Sequence, residues 1–353
     1  MNRKERFHGL LLGAAVGDAL GLPMEGLSAD RALRLFPGPL RHRFLFGHGM
    51  ISDDTDHLVF VCQCLLAHPD DPEKFARRLG SSFRWWLIAL PAGVGFATLR
   101  AGLRLWIGVP PDRSGVYSAG NGAAMRIAPI GAFFFEDQTS RLQFVSAATR
   151  ITHTDSRALT GAGAIASVAG WIARDSTGQR PSVDELVALL RPGTGEDQEW
   201  ASIVTELEQA IVNGEDVASL ARRLGLASRV SGYVYHTVPV SVFAWYHCYG
   251  DFEATLESVI RLGGDTDTVA AIAGALAGMT VGPDRIPPAW RDGLLDWPRG
   301  KGLLSRLATR LGDSGGSVPG DEVSYPWYLV PARNVLFLVL VLAHGLRRLF
   351  PPY

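Results

Sequence analysis

Two short acidic runs are the sharpest chemical feature of this sequence. Ser52-Asp53-Asp54-Thr55-Asp56 precedes an apolar stretch with Val59, Phe60, Val61 and Leu65, and Gly263-Gly264-Asp265-Thr266-Asp267-Thr268 precedes Val269-Ala270-Ala271-Ile272. Each reads as a turn that opens a helix. One acid or hydroxyl there needs no reason beyond capping, because Ser, Thr and Asp accept from the first backbone N–H groups and carboxylates suit the positive helix start. Several adjacent acids against apolar helices are a different matter. Like charges held together raise one another's pKa and destabilise the fold unless a cation offsets them. Carboxylate and hydroxyl oxygens are the donors that Mg2+ or Mn2+ takes. Two ions about 3.5–4 Å apart can share bridging carboxylates, activate water and hold substrate oxygens, which requires acids from distant segments to meet. A third acid, Glu25, follows Gly17-Asp18-Ala19-Leu20-Gly21-Leu22-Pro23-Met24. It reads either as an exposed loop acid or as a carboxylate at the mouth of a metal site, acting as ligand or acid/base.

Two further stretches could hold a ligand. Ser118-Ala119-Gly120-Asn121-Gly122-Ala123-Ala124-Met125-Arg126 is a Gly-rich turn leading into a helix. Exposed backbone N–H groups at such a start attract anions, Gly120 and Gly122 allow close approach, and Asn121 can cap the helix or bond a sugar hydroxyl. Taken alone, plain capping explains this turn. Thr152-His153-Thr154-Asp155 opens another small-residue helix, where His153 is either a structural hydrogen-bonder or a phosphate contact. No phosphate loop of the Walker type and no Gly-x-Gly-x-x-Gly turn after a strand is present.

The elements that must position these groups read almost entirely as helix. Expected spans are 7–21, 54–66, 72–90, 98–107, 123–135, 141–151, 156–173, 181–190, 197–213, 236–249, 252–262 and 266–279. Few stretches alternate with period two for long, so no sheet is indicated. Small residues inside several helices (Ala14, Ala15 and Gly17; Gly161, Gly163 and Gly170; Gly274 and Gly278) cost helix stability and point to close approach of helices. The expected organisation is a catalytic domain over 1–312, a linker or exposed loop over 313–334 marked by Ser314-Gly315-Gly316-Ser317, Pro319, Pro326 and Pro331, and a C-terminal apolar helix over 335–353 docked on the body.

Composition narrows the function classes. The 353 residues carry a formal net charge of -1, so no global basic field argues for nucleic acid and no acidic excess for a solvating tail. Cys62, Cys64 and Cys248 are too few for a disulfide framework and read as core thiols of a reducing compartment. The N-terminus does not look like a signal peptide. The apolar run from Val335 to Leu342 is shorter than the ~20 residues of a spanning helix. The expectation is a cytoplasmic monomer without a membrane span.

Taken together and in this order, the segments resemble the ADP-ribosylglycohydrolase family. The matching stretches run from Gly9-Leu10-Leu11-Leu12-Gly13 through Gly17-Asp18, Glu25, Ser52 to Thr55, Gly120 to Arg126 and Thr152-His153 to Gly263–Gly274. The resemblance implies an orthogonal all-α bundle with two divalent cations, Mg2+ or Mn2+. It makes Ser52, Asp53, Asp54, Asp265, Asp267 and Thr268 metal ligands, with Asp53 and Asp54 also catalytic. It makes Glu25 catalytic or gating, and Ser118, Gly120, Asn121, Gly122 and His153 the cradle of ADP-ribose. One departure is visible: where nitrogen-fixation-type members carry an Asp-Ile-Gly stretch, this chain has Gly93-Val94-Gly95, which shifts weight onto Glu25.

The implied reaction is hydrolysis of the glycosidic bond between ADP-ribose and a modified acceptor. The acceptor could be a protein side chain or a small molecule, and a nucleic-acid acceptor stays open. Two other readings compete. A terpenoid-synthase-type diphosphate enzyme would carry its acids along helices rather than at their opening turns. A non-catalytic ADP-ribose binder would have lost oxygen donors that this chain keeps.

Overall fold

The first helix, Arg3–Gly21, carries glycine at positions 9, 13, 17 and 21. That spacing puts all four on one face. The face lies antiparallel against the late helix Thr266–Val281, and a Cβ on Gly9, Gly13, Gly17 or Gly21 would fall inside the backbone at Gly278, Gly274, Ala270 or Thr266, respectively. The two backbones therefore touch along their whole length, which only small residues permit. Thr266 Oγ1 donates to Gly21 O at 2.8 Å and ties the end of one helix to the start of the other. The consequence for function is direct: Asp18 and the turn after Gly21 stand beside Asp265 and Asp267.

In the computed structural model, residues 1–191, 197–313 and 323–351 are described. Among them are eighteen α-helices and five short 3-10 segments, with only isolated bridges in place of strands. The all-α expectation holds. A single large apolar cluster joins Phe7, Leu10 and Leu11 of the first helix to Val59 and Leu65, Phe75 and Phe83, Ile165, Trp200, Trp245 and Leu276. Helix Asp53–Ala67 and helix Ser156–Arg174 both run through this core, so their first turns are held rigidly.

Several boundaries differ from the sequence expectation. The span 123–135 is not one helix but a 3-10 turn, Ala124–Arg126, followed by helix Ala128–Phe133. Pro129 lacks an N–H and fits only a first helical turn, so the chain restarts there. Helices Ala29–Leu35, Val217–Arg223 and Lys301–Asp313 were not anticipated. The C-terminal helix begins at Val330 instead of 335, because Pro331, read as a loop residue, occupies its first turn. Of the expected linker over 313–334, residues 314–322 lie outside the described residues. The apolar helical run, Trp327–Arg347, has 21 residues, long and apolar enough to cross a membrane by length and composition, as is the buried first helix. The expectation that it falls short is thereby corrected. The run is docked by a narrow face (Arg333, Asn334 and Phe337), while Val335, Val339, Leu342 and Leu346 are exposed.

Candidate active site

Asp18 organises the cluster. It is an acid inside an otherwise apolar helix, with no exposed surface. Its carboxylate accepts from Ser52 N at 2.9 and 3.1 Å, from Thr55 N at 3.2 Å and from Thr55 Oγ1 at 2.5 Å. Asp18 thus fixes the first turn of helix Asp53–Ala67. Burial pushes its pKa up to about 6 against the pull of these three donors. Ser52 caps the helix, accepting from Asp54 N at 3.2 Å. Ser52 Oγ also donates to Asp54 Oδ2 at 3.3 Å, and Thr268 Oγ1 donates to the same oxygen at 3.1 Å across 214 residues of sequence. The two acidic runs therefore meet.

Consecutive glycines make the second run possible. Gly263 and Gly264 have φ of +69° and +90°, conformations side chains disfavour. A Cβ on Gly264 would fall inside the backbone of Val230. The tight chain hydrogen-bonds to both sides: Gly264 N to Leu27 O and Gly26 N to Gly264 O, each 2.7 Å, and Asp265 N to Val230 O, 2.8 Å. Bridges between residues 230 and 264, 120 and 233, and 116 and 153 extend the line. Four loops are stapled into one wall. Asn121 N donates to Gly232 O at 2.9 Å, and its side-chain Nδ2 donates to Asp265 Oδ2 at 2.7 Å and to Thr237 Oγ1 at 2.9 Å.

The result is a cleft of about 550 Å3. Of the residues singled out in the sequence, Glu25, Asp53, Ser118, Gly120, Asn121, Gly122, His153, Asp265, Asp267 and Thr268 line it. Ser52 and Asp54 are buried behind that surface. Gly93 and Gly95 of the departing stretch also line the cleft, as do Thr98, Met125, Arg229, Ser231 and Gly232.

The acids are crowded and poorly compensated. Burial, reinforced by neighbouring carboxylates, raises Asp53, Asp54 and Asp267 well above the ordinary range. Asp54 Oδ1 and Asp267 Oδ1 are buried without a hydrogen-bond partner, an arrangement a polypeptide alone does not favour. Glu25 stands exposed at the mouth. Desolvation by the surrounding walls and the charges of Asp265 and Asp18 push it up to about 7, against the pull of Arg348. An all-oxygen set of this kind fits a hard divalent cation. Among the described residues no three Asp, Glu, His or Cys side chains converge closely enough to hold an ion by themselves. The Ser52 and Thr268 hydroxyls and water would complete a sphere, as suits Mg2+, which keeps several waters.

Arg126 closes the stretch that begins with the Gly120–Gly122 turn. It is fully buried and has no carboxylate partner within ion-pair distance among those described. One guanidinium nitrogen donates to Gly122 O. The other donates to Ala148 O at 2.9 Å and Thr152 Oγ1 at 2.6 Å. Burial lowers its pKa to about 9, with Asp53 opposing. Thr152 Oγ1 lies 2.8 Å from His153 Nδ1; because Arg126 already donates to that oxygen, we assign the hydroxyl as the donor to Nδ1. That leaves the His153 proton on Nε2, the nitrogen nearest Gly120. Burial and the Arg126 charge lower the His153 pKa to about 3, so the ring is neutral and presents one N–H to the cleft. Asp18 and Arg126 carried weak sequence signals: an acid within an apolar helix, and a cation just after a glycine turn.

Comparison with known proteins agrees with this architecture. The sequence pattern of the ADP-ribosylglycohydrolase family matches residues 1–317. An uncharacterized protein of Archaeoglobus fulgidus is 32% identical, the match covering 87% of this chain and 96% of that one. The ADP-ribosyl-[dinitrogen reductase] glycohydrolase of Rhodospirillum rubrum is 28% identical over 81% of this chain and 89% of its own length. A solved structure, described as an ADP-ribosylglycohydrolase-related protein complex, aligns with a TM-score of 0.63 at 29% identity, covering 88% of this chain and 98% of that one.

Proposed function

We propose that this chain, which belongs to the ADP-ribosylglycohydrolase family, hydrolyses the glycosidic bond between ADP-ribose and a modified acceptor, and that it does so with two divalent cations, Mg2+ or Mn2+. The family membership favours this reading over a terpenoid-synthase-type diphosphate enzyme. The observation that carries the metal reading is the pair of partnerless, buried carboxylate oxygens on Asp54 and Asp267. Ser52, Asp53, Asp54, Asp265, Asp267 and Thr268 would hold the ions. When bound, such ions supply Lewis acidity toward water and toward substrate oxygens.

The chain's own residues supply the rest. The diphosphate lies across the Gly120–Gly122 turn, whose glycines leave open the space beside the His153 ring that side chains would fill. Neutral His153 donates its Nε2 proton to a phosphate oxygen. Asn121, held by Asp265 and Thr237, keeps the turn in register with the acids. Glu25, near neutrality at the mouth, can accept a proton from the attacking water or return one to the leaving acceptor. Bond cleavage at the anomeric carbon gives ADP-ribose and the restored acceptor.

The cysteines are buried or half-buried thiols, which suits a reducing, cytoplasmic setting, and a monomer is sufficient because one chain supplies every wall of the cleft. The relative named for dinitrogen reductase acts on an ADP-ribosylated protein, and a protein or small-molecule acceptor is proposed here too. The deciding assay is ADP-ribose release from arginine-linked, serine-linked and DNA-linked substrates with Mg2+, Mn2+ or EDTA. Release that EDTA does not diminish overturns the metal reading. Absence of release from every substrate, alongside tight ADP-ribose binding, favours a binder instead.

A further inference from the structure

The C-terminal helix lies outside the residues matched by the family pattern, 1–317, yet its end reaches the turn that carries Glu25. Arg348 follows helix Val330–Arg347. Its Nη1 donates to Glu25 O and its Nη2 to Pro23 O, both at 2.7 Å. His344 Nε2 also bonds Pro23 O, at 3.0 Å. Arg31 Nη2 in turn donates to Arg348 O at 2.7 Å. The helix is fixed to the body at its other end. Arg333 is ion-paired with Asp296 and donates to Ile51 O, next to Ser52. Asn334 Nδ2 donates to Ala89 O at 2.7 Å, and the His344 ring stacks on Phe36 at 5.5 Å.

The Glu25 turn has little else on its outer side. Inside the turn, Glu25 N reaches Leu22 O at a long 3.3 Å, and Leu27 N reaches Met24 O at 3.1 Å. The cleft side is set by Gly26 N to Gly264 O. A guanidinium is planar, with donors in a fixed fork. One that bonds two carbonyls two residues apart fixes the backbone between them, and so the direction in which the Glu25 side chain leaves.

We propose that the C-terminal helix is a splint for the Glu25 turn and that Arg348 is a positioning residue for the hydrolysis. It holds the Glu25 carboxyl at the mouth of the cleft before substrate arrives. This rests on the reading of Glu25 given above. The splint is supplied by a segment outside the matched family region, so this chain carries its own means of ordering that turn.

The test uses the full chain with Mg2+. In Arg348→Met, backbone amide exchange across residues 24–27 should rise about tenfold or more, since charge-assisted hydrogen bonds to two carbonyls are lost. Turnover should fall by about the same factor, with KM and ADP-ribose affinity within about twofold. Arg348→Lys should recover part of both. His344→Phe, which keeps the stack on Phe36, should raise exchange in the same segment and gives a second readout if Arg348→Met does not fold. In a Glu25→Gln background, Arg348→Met should lower turnover no further. Unchanged exchange with unchanged turnover in Arg348→Met overturns the splint while leaving the Glu25 reading intact. Losses that add to those of Glu25→Gln overturn positioning through Glu25. Full turnover in Glu25→Gln alone defeats the Glu25 reading, and the positioning role with it.

Discussion

Replacing Arg126 by lysine tests how the ligand turn is held. Arg126 reaches Gly122 O, Ala148 O and Thr152 Oγ1 from two nitrogens, and its guanidinium lies over the Phe83 ring at 5.0 Å. A single ammonium cannot span all three acceptors. Losing two charge-assisted bonds at a buried site costs about 3–6 kcal/mol. Over 353 residues the unfolding entropy is about 0.7 kcal/mol/K, so a loss near 4 kcal/mol lowers Tm by about 5 °C. The functional effect has a separate route. Without the guanidinium on Thr152 Oγ1, that hydroxyl loses the donor that orients it toward His153 Nδ1, and the His153 proton is free to move off Nε2. ADP-ribose affinity, measured by calorimetric titration with Mg2+, should weaken by about ten- to a hundredfold, the worth of one or two well-aimed donors to an anion. Nitrogen NMR of the wild type should show His153 neutral with the proton on Nε2. A proton on Nδ1, or an Arg126→Lys variant that loses stability but binds ADP-ribose as tightly as the wild type, would refute the relay from Arg126 through Thr152 to His153.

Other perturbations separate the remaining parts. Asp267→Ala should abolish the calorimetric signal of Mg2+ binding, and an unchanged signal would remove Asp267 from the ligand set. With EDTA present, stability should fall as pH rises from 6.5 to 8.5. A carboxyl whose folded pKa lies above its unfolded value binds protons more tightly in the fold, as burial and like charges dictate for Asp53, Asp54 and Asp267 and for Glu25 at about 7. The buried His57 and His153, lowered in pKa, act in the opposite sense only below about 6.5, the unfolded value. Millimolar Mg2+ should flatten or reverse the slope in thermal scans, and an EDTA slope that rises with pH would contradict the crowding. Gly13→Ala forces a methyl into the Gly274 carbonyl and should destabilise by about 1–3 kcal/mol and weaken Mg2+ binding. Gly163→Ala, a helix position with nothing within 4 Å of its Cβ, should instead stabilise by roughly 0.5–1 kcal/mol in denaturant titration. Equal effects of the two would argue against backbone contact between the first and late helices.

What could be seen in the sequence was what repeats locally. Helix Thr266–Val281 was expected within two residues of its observed end, because its apolar run is uninterrupted and its acidic turn marks the start. Helix Lys301–Asp313 was overlooked although Leu303, Leu304, Leu307 and Leu311 follow the helical period and are buried. That signal was present in the sequence. Other features had no local signature. The loop around Ser231 and Gly232, part of the cleft wall, is placed by backbone bonds to residues 121 and 265, which any side chains could have made. Asp18 looked like an interruption in an apolar helix, since its partners lie 34 and 37 residues away. The role of Arg348 depends on a contact across 323 residues of sequence.

Capping and cation binding were the competing accounts of the acidic runs, and the geometry bears on the choice. Asp71, Asp137 and Asp155 occupy helix N-caps, accept backbone N–H bonds there, and have lowered pKa values. They show what a capping aspartate does in this fold. At helix Asp53–Ala67 the cap is Ser52, so capping accounts for neither Asp53 nor Asp54. At helix Thr266–Val281 Asp265 sits in the cap position, yet its side chain caps nothing and accepts from Asn121 instead. Asp53, Asp54 and Asp267 share helix first turns with positive backbone dipoles, which favour ionised carboxylates, and still have raised pKa values. The dipoles do not outweigh the crowding. Three such acids crowded around two partnerless oxygens favour protons or metal cations between them near neutral pH. Protons would leave Asp54 Oδ1 and Asp267 Oδ1 still without partners, whereas carboxylate oxygens of this kind are the donors that hard divalent cations take, and that difference is why the divalent-metal reading is preferred.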